Sequence, residues 1–164
     1  MIQDSGARRE FSSGAVRDIA DGKGRCDLLP ADIIGAYSNI PCLVTLDGFI
    51  HGGDVRSIWY AFEIFSNEVF GDIYTAVLET SVHYEEGARK YSERNWEKGM
   101  EVYNYINSAV RHCIKYYRGD KDERHDRAFC WNLLGALWTI KNKPELNIME
   151  AKREQEKESK PYFI

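Results

Sequence analysis

The residues best placed to do chemistry fall in two short runs. In Glu79-x-x-x-His83-x-x-Glu86-x-x-x-Lys90 the polar side chains sit at offsets 0, 4, 7 and 11. At about 100° per residue they form one narrow stripe along a helix. Ala76 and Thr80 flank it on one side, Leu78 and Val82 on the other. A polar stripe between apolar flanks suggests an interior or interfacial site. The plainer alternative is a solvent face carrying two i,i+4 pairs, Glu79–His83 and Glu86–Lys90, each worth roughly 0.2–0.5 kcal/mol. The second run is Asp122-Glu123-Arg124-His125-Asp126-Arg127. Asp126 leads to Cys130, Leu133, Leu137 and Ile140 at offsets 4, 7, 11 and 14, so it extends an apolar stripe. Glu123 lies one turn before it. Carboxylates on such a stripe are costly unless a cation meets them. A helix N-terminus is the alternative: Asp122 caps and Glu123 gains from the dipole, which explains Asp126 less well.

If the two runs converge, Glu86, Glu123 and Asp126 make an oxygen-rich site for Mg²⁺ or Mn²⁺. Such an ion bridges phosphates and orients an attacking water. Lys90, Arg111 and Lys115 then neutralise the remaining phosphate charge. Arg111 and Lys115 are four apart and share a helix face, which also suits ordinary solvated cations. His112 shares a flank with Tyr105, Ala109 and Tyr116 and reads either as catalytic or as a satisfied, half-buried histidine.

These runs need elements to hold them. The 164 residues fit one domain with an arm and a tail, and a hydrophobic fraction of 43% supports one core. No apolar run approaches the roughly 20 residues of a membrane helix, and MIQDSGARRE is unlike a signal peptide. Cys26, Cys42, Cys113 and Cys130 are scattered without a CxxC pair, which argues against zinc and disulfides and for a reducing, cytoplasmic setting. A net charge of −4 argues against duplex nucleic acid as the main partner.

Residues 1–30, rich in Gly, Ser and Arg, read as an irregular arm. Residues 31–144 read as a helical catalytic domain and 145–164 as a charged tail. Within the domain a short helix is expected over 32–39. Asp47-Gly48 between apolar runs signals a β-hairpin near 43–51. Long helices are expected over about 67–91 and 101–117, and from about 122 to Pro144.

The stretch HYEEGARKYSERNWEKG (83–99), then SAVRH (108–112), RGDKDERHDRAFCWN (118–132) and SGAVRDIADGKGRCDLLP (13–30) appear together in this chain. In this order they resemble the phage and bacterial dATP/dGTP diphosphohydrolase family, which includes MazZ-like enzymes and belongs with the MazG-like all-α pyrophosphohydrolases. The resemblance covers about 13–30 and 83–141. It implies a mostly α, MazG-like helical bundle, a divalent metal, a purine deoxynucleoside triphosphate as substrate and cleavage between its α and β phosphates. It also implies a homo-oligomer in bacterial or phage-infected cytosol. MazG-like relatives build their metal site from an E-E-x-x-E helix and an E-x-x-D helix. Glu123-Arg124-His125-Asp126 satisfies the second. Arg89 stands where the first wants its third glutamate, so Glu79 becomes the substitute ligand beside Glu86.

Asn95-Trp96 then reads as a base-binding pair, with Trp96 stacking and Asn95 hydrogen-bonding, or else as a loop anchor. Gly22-Lys23-Gly24-Arg25 lacks Walker spacing. Its glycines and cations still suit a phosphate, and with the resemblance Lys23 and Arg25 are expected to fold over bound substrate. Asn132, at the end of the third motif, joins the substrate-binding set. Two other readings compete. An HD-type phosphohydrolase would use His112 and His125-Asp126, with His83 or His51 added, but no later aspartate follows. A binding homologue without turnover would explain Arg89.

Overall fold

The computed structural model describes residues 6–149, and the first five residues and most of the charged tail lie outside the described residues. A two-stranded antiparallel hairpin comes first, β1 (Arg8–Glu10) against β2 (Val16–Asp18), with Arg9 opposite Arg17. Among the described residues six α-helical elements follow: α1 (Ala31–Tyr37), α2 (Pro41–Gly52), α3 (Arg56–Phe70), α4 (Ile73–Lys90), α5 (Val102–Arg118) and α6 (His125–Asn142). The molecule is mostly α, as expected, and its small hairpin lies in the arm.

The expected hairpin at 43–51 is instead the middle of α2. Leu43, Leu46, Phe49 and Ile50 share one helical face and are all buried. Pro41 sits at the first turn, where its missing N–H costs nothing, and Gly53 closes the helix in the left-handed conformation. Gly48 is there for packing: a Cβ at this position would lie 2.6 Å from Ser57 Oγ on α3. The expected helix over 67–91 is likewise two helices. Gly71 ends α3 at φ +88°, and the Asp72 side chain caps α4 by accepting from the Thr75 amide at 2.8 Å.

α5 and α6 pack along each other, α2 packs between α1 and α3, and α4 lies against α6. α5 and α6 approach tightly at Gly135, where a Cβ would come within 2.5 Å of the Tyr105 ring. The core joins α2, α3, α5 and α6 through Leu43, Phe62, Phe65, Ile106, Phe129 and Leu133. Phe65 and Phe129 pack with ring centroids 4.4 Å apart, tilted by 56°. Among the described residues no helix is long and apolar enough to cross a membrane, and all four cysteines are free thiols.

The arm is fastened to the helices by polar contacts. The Val16 amide donates to Asn95 Oδ1 and Asn95 Nδ2 returns a bond to the Val16 carbonyl, both at 3.0 Å. Ser13 Oγ donates to the Gly99 carbonyl. Arg9 donates to Asn104, Arg17 to Asn132, and the Cys26 amide to Asn107.

Candidate active site

Two members of the α4 stripe, His83 and Lys90, face the interior. His83 is buried against Trp131 of α6, and Lys90 donates to Asp18 of β2 at 2.9 Å with only 9% of its side chain exposed. Tyr91 and Arg8 also donate to Asp18, so this carboxylate gathers three donors from two elements. Between the arm, α4, α5 and α6 lies a polar cavity of about 140 Å³. Its cations are Arg9, Arg17, Lys23, Arg111 and Lys115, and its acids are Asp18 and Glu123. His83, His112, Tyr91, Asn107, Ser108 and Asn132 complete the polar part of the wall.

Among the described residues, Arg17 and Arg9 make their side-chain hydrogen bonds to neutral groups. Arg17 reaches Asn132 Oδ1 at 3.3 Å and Met100 Sδ at 3.8 Å, and lies 5.2 Å over the Trp131 ring. Among the described residues it meets no carboxylate, and burial lowers its pKa below the usual arginine value. Arg9 Nε is buried with no hydrogen-bond partner among the described residues. Cations shielded from water and hydrogen-bonded to neutral groups are costly unless an anion meets them. They are the expected lining of a site that takes an anion.

A second cavity, about 460 Å³, adjoins the first and shares Arg17, His83 and Tyr91 with it. Its wall is aromatic: Tyr84, Trp96 and Trp131 line it. Trp96 meets Tyr84 and Trp138 edge-on at 5.4 and 5.2 Å. Burial drives Tyr84 above the ordinary tyrosine range and lowers His83 to about 4, helped by Arg17 and Arg127. At neutral pH His83 is therefore an uncharged imidazole on the boundary of the two cavities.

The proposed site residues divide into groups. Lys23, Arg111, Lys115, His112, Asn132 and Glu123 line the polar cavity, and Trp96 and Asn95 line the aromatic one. Asn95 is there as an anchor, since both ends of its amide are spent on Val16. Arg111 holds the glycine-rich turn by donating to the carbonyls of Lys23 and Gly24. Arg25 is turned elsewhere: it forks onto Asp27 at 2.6 and 2.8 Å and lies over Tyr103. Lys90 spends its charge on Asp18.

The four carboxylates Glu79, Glu86, Glu123 and Asp126 do not gather into one donor set. Glu79 accepts from Arg127 at 2.9 Å. Asp126 is forked by Arg124 at 2.7 and 2.9 Å and takes the Arg127 amide. Glu86 lies one turn along α4 from His83, partly buried. Glu123 instead approaches two histidines, His112 Nδ1 at 3.4 Å and His125 Nδ1 at 3.6 Å. Among the described residues, the groups of three donors within 4.8 Å are His112–Glu123–His125 and Asp120–Asp122–His125.

Sequence reading passed over Arg9, Arg17, Asp18, Tyr84, Tyr91 and Trp131. Tyr84 and Tyr91 lie inside the 83–99 motif and Arg17 inside the 13–30 motif, so the motifs held the signal. Arg17 stands on a three-residue strand, too short for a period to reveal its direction.

Residues 70–148 match the family model described as dATP/dGTP diphosphohydrolase, N-terminal. The match takes in α4, α5 and α6 and supports the family that the motifs resemble. No curated protein and no solved structure matches the chain.

Proposed function

We propose, from the dATP/dGTP diphosphohydrolase family that residues 70–148 support, that this chain is a metal-dependent pyrophosphohydrolase of purine deoxynucleoside triphosphates. Water attacks the α-phosphorus, the bond to the bridging α–β oxygen breaks, and deoxynucleoside monophosphate and pyrophosphate leave. The observation that carries this reading is the pair of adjoining cavities with Arg17, His83 and Tyr91 as their common wall. One is cationic and small, the other aromatic and larger. A nucleotide has the same division: a polyanionic tail joined to a flat, apolar base. Lys23, Arg111 and Lys115 neutralise the tail, and Arg17 receives the anion its site lacks. Tyr84, Trp96 and Trp131 offer faces and edges to the base. Glu123, with Asp18 one of the two acids of the cationic cavity, orients the attacking water.

The family resemblance implies Mg²⁺ or Mn²⁺. The carboxylate set Glu79, Glu86, Glu123 and Asp126 does not fit such an ion in this arrangement, because Arg127 and Arg124 already hold two of its members. No metal-borne step is therefore assigned to that set of four. The HD-type alternative asks Asp126 to join His112 and His125, and the same Arg124 fork stands against it. A second copy of the chain is the partner the resemblance implies, while duplex nucleic acid does not suit cavities of this size.

The test is binding of dATP and dGTP to the wild type and to Arg17→Met in EDTA, followed by calorimetry. Affinity should fall at least tenfold in the variant, about 1.4 kcal/mol, with the helical spectrum retained. Equal affinity would remove Arg17 and the shared wall from the binding site.

A further inference from the structure

We propose that His112, Glu123 and His125 form a binding site for a divalent transition-metal ion, using two imidazole Nδ1 atoms and one carboxylate oxygen. This assignment rests on the pyrophosphohydrolase reading for its role, though not for its geometry.

The three donors come from α5, from the turn after Gly119 and from the start of α6. The two Nδ1 atoms are 2.9 Å apart, and Glu123 Oε1 stands 3.4 and 3.6 Å from them. Ligand atoms at roughly 2.0–2.2 Å from one ion are separated by about 2.8 to 3.6 Å for bond angles between right-angled and tetrahedral. One ion can therefore reach all three atoms with the side chains where they are. The side chains are 13%, 14% and 1% exposed for His112, Glu123 and His125, so the site is sheltered.

The chemistry around His125 points the same way. Its Nε2 lies 2.7 Å from Asp122 Oδ1, and a carboxylate can only accept there. Nε2 therefore carries the proton and Nδ1 presents its lone pair toward His112 Nδ1. Two facing imidazole nitrogens this close are joined either by a proton that His112 donates or by an ion set to one side of the line between them, toward Glu123. A carboxylate behind a ligating histidine is the usual outer support of a metal site, and Lys115 holds Asp122 in turn at 3.0 Å.

Two imidazoles with one carboxylate favour Mn²⁺, Fe²⁺, Co²⁺ or Zn²⁺ over Mg²⁺, which prefers oxygen and water. Three protein donors leave positions open. His112 and Glu123 both line the cationic cavity, so those positions face the place assigned to the phosphates. The ion and the phosphates would thus meet at Glu123.

Cobalt titration of the purified protein tests this without turnover. Co²⁺ should bind one per chain and give visible d–d absorption. His112→Asn and Glu123→Gln should each weaken binding at least tenfold, with circular dichroism confirming the fold. Asp120→Asn should leave binding unchanged. Two results would overturn the site: no visible absorption at millimolar Co²⁺, or binding kept in His112→Asn and lost in Asp120→Asn, which would move the ion to the surface trio. Stoichiometric Co²⁺ binding without any nucleotide cleavage would keep the site and reject the reaction. Nucleotide cleavage without site-specific absorption would do the reverse.

Discussion

Asn95 pairs with Val16 through both ends of its side-chain amide, accepting the Val16 amide and donating to the Val16 carbonyl at 3.0 Å each. A side chain thus stands in for a neighbouring strand and fixes β2 beside the cavities. Asn95→Ala removes both bonds and leaves two partly buried backbone groups unmet, at a cost of about 1–3 kcal/mol. Because β2 carries Arg17, nucleotide affinity should fall as well. Denaturant unfolding and nucleotide titration of the variant check this. A loss of stability with unchanged affinity would mean that the arm does not help bind substrate.

Asp18 is the second fastening of the arm. It takes Lys90 at 2.9 Å and Tyr91 and Arg8 at 3.0 Å. Asp18→Asn keeps the shape and removes the charge that balances a nearly buried lysine. Stability should drop by about 1.5–3 kcal/mol, the range for hydrogen bonds to charged groups. Tyr91→Phe removes one neutral donor and should cost less, about 1 kcal/mol. An equal cost for both would show that the Lys90 charge is not what Asp18 serves.

His83 predicts an acid-side weakness. Burial, then Arg17 and Arg127, hold its pKa at about 4, against about 6.5 for an unfolded chain. Above pH 6.5 both states are neutral and the group contributes nothing. As pH falls below 6.5 the unfolded chain takes up a proton that the folded one refuses. Stability is therefore lost progressively between about pH 6.5 and 4, by up to about 3 kcal/mol. His83→Gln should remove about one proton from the slope of unfolding free energy against pH. An unchanged slope would mean that His83 is protonated in the fold. His112, also held well below its usual value by burial, should keep part of the slope in that variant.

Gly135 tests the α5–α6 contact on which the histidine pair depends. Gly135→Ala would place a methyl 2.5 Å from Tyr105 Cε1, so the ring or the helix must move. Overpacking of this kind typically costs about 1–3 kcal/mol. A stability equal to wild type, by thermal unfolding, would show that the two helices are packed less tightly than this.

Much of the scaffold was readable because its helices carry long apolar periods: α5 and α6 lie close to where their stripes end, and Gly119 and Pro144 mark the stops. Asp47-Gly48 misled because a glycine suits two purposes. Here it lets Ser57 approach a buried helix, and the helical spacing of Leu43, Leu46, Phe49 and Ile50 outweighs the turn signal. Gly71-Asp72, a stop and a cap in the fold, was passed over inside an expected helix. At the site, the Glu79–Lys90 stripe suggested an inward face from its apolar flanks; His83 and Lys90 do turn inward, while flanking Leu78 is 71% exposed. What local sequence could not show was pairing. Glu79 and Asp126 lie where the stripes put them, yet Arg127 and Arg124 hold them. Glu123 meets His112 only because the turn after α5 folds back. Arg25 was chosen as a phosphate ligand for its neighbours, and the acid two residues on claims it.

The most direct measurement is the product of cleavage. The pure protein is incubated with each of the eight common NTPs and dNTPs in Mg²⁺ or Mn²⁺, and the products are separated by chromatography. Deoxynucleoside monophosphate and pyrophosphate from dATP or dGTP, abolished by EDTA, are the expected result. Release of triphosphate, or of phosphate with a diphosphate remaining, would contradict it.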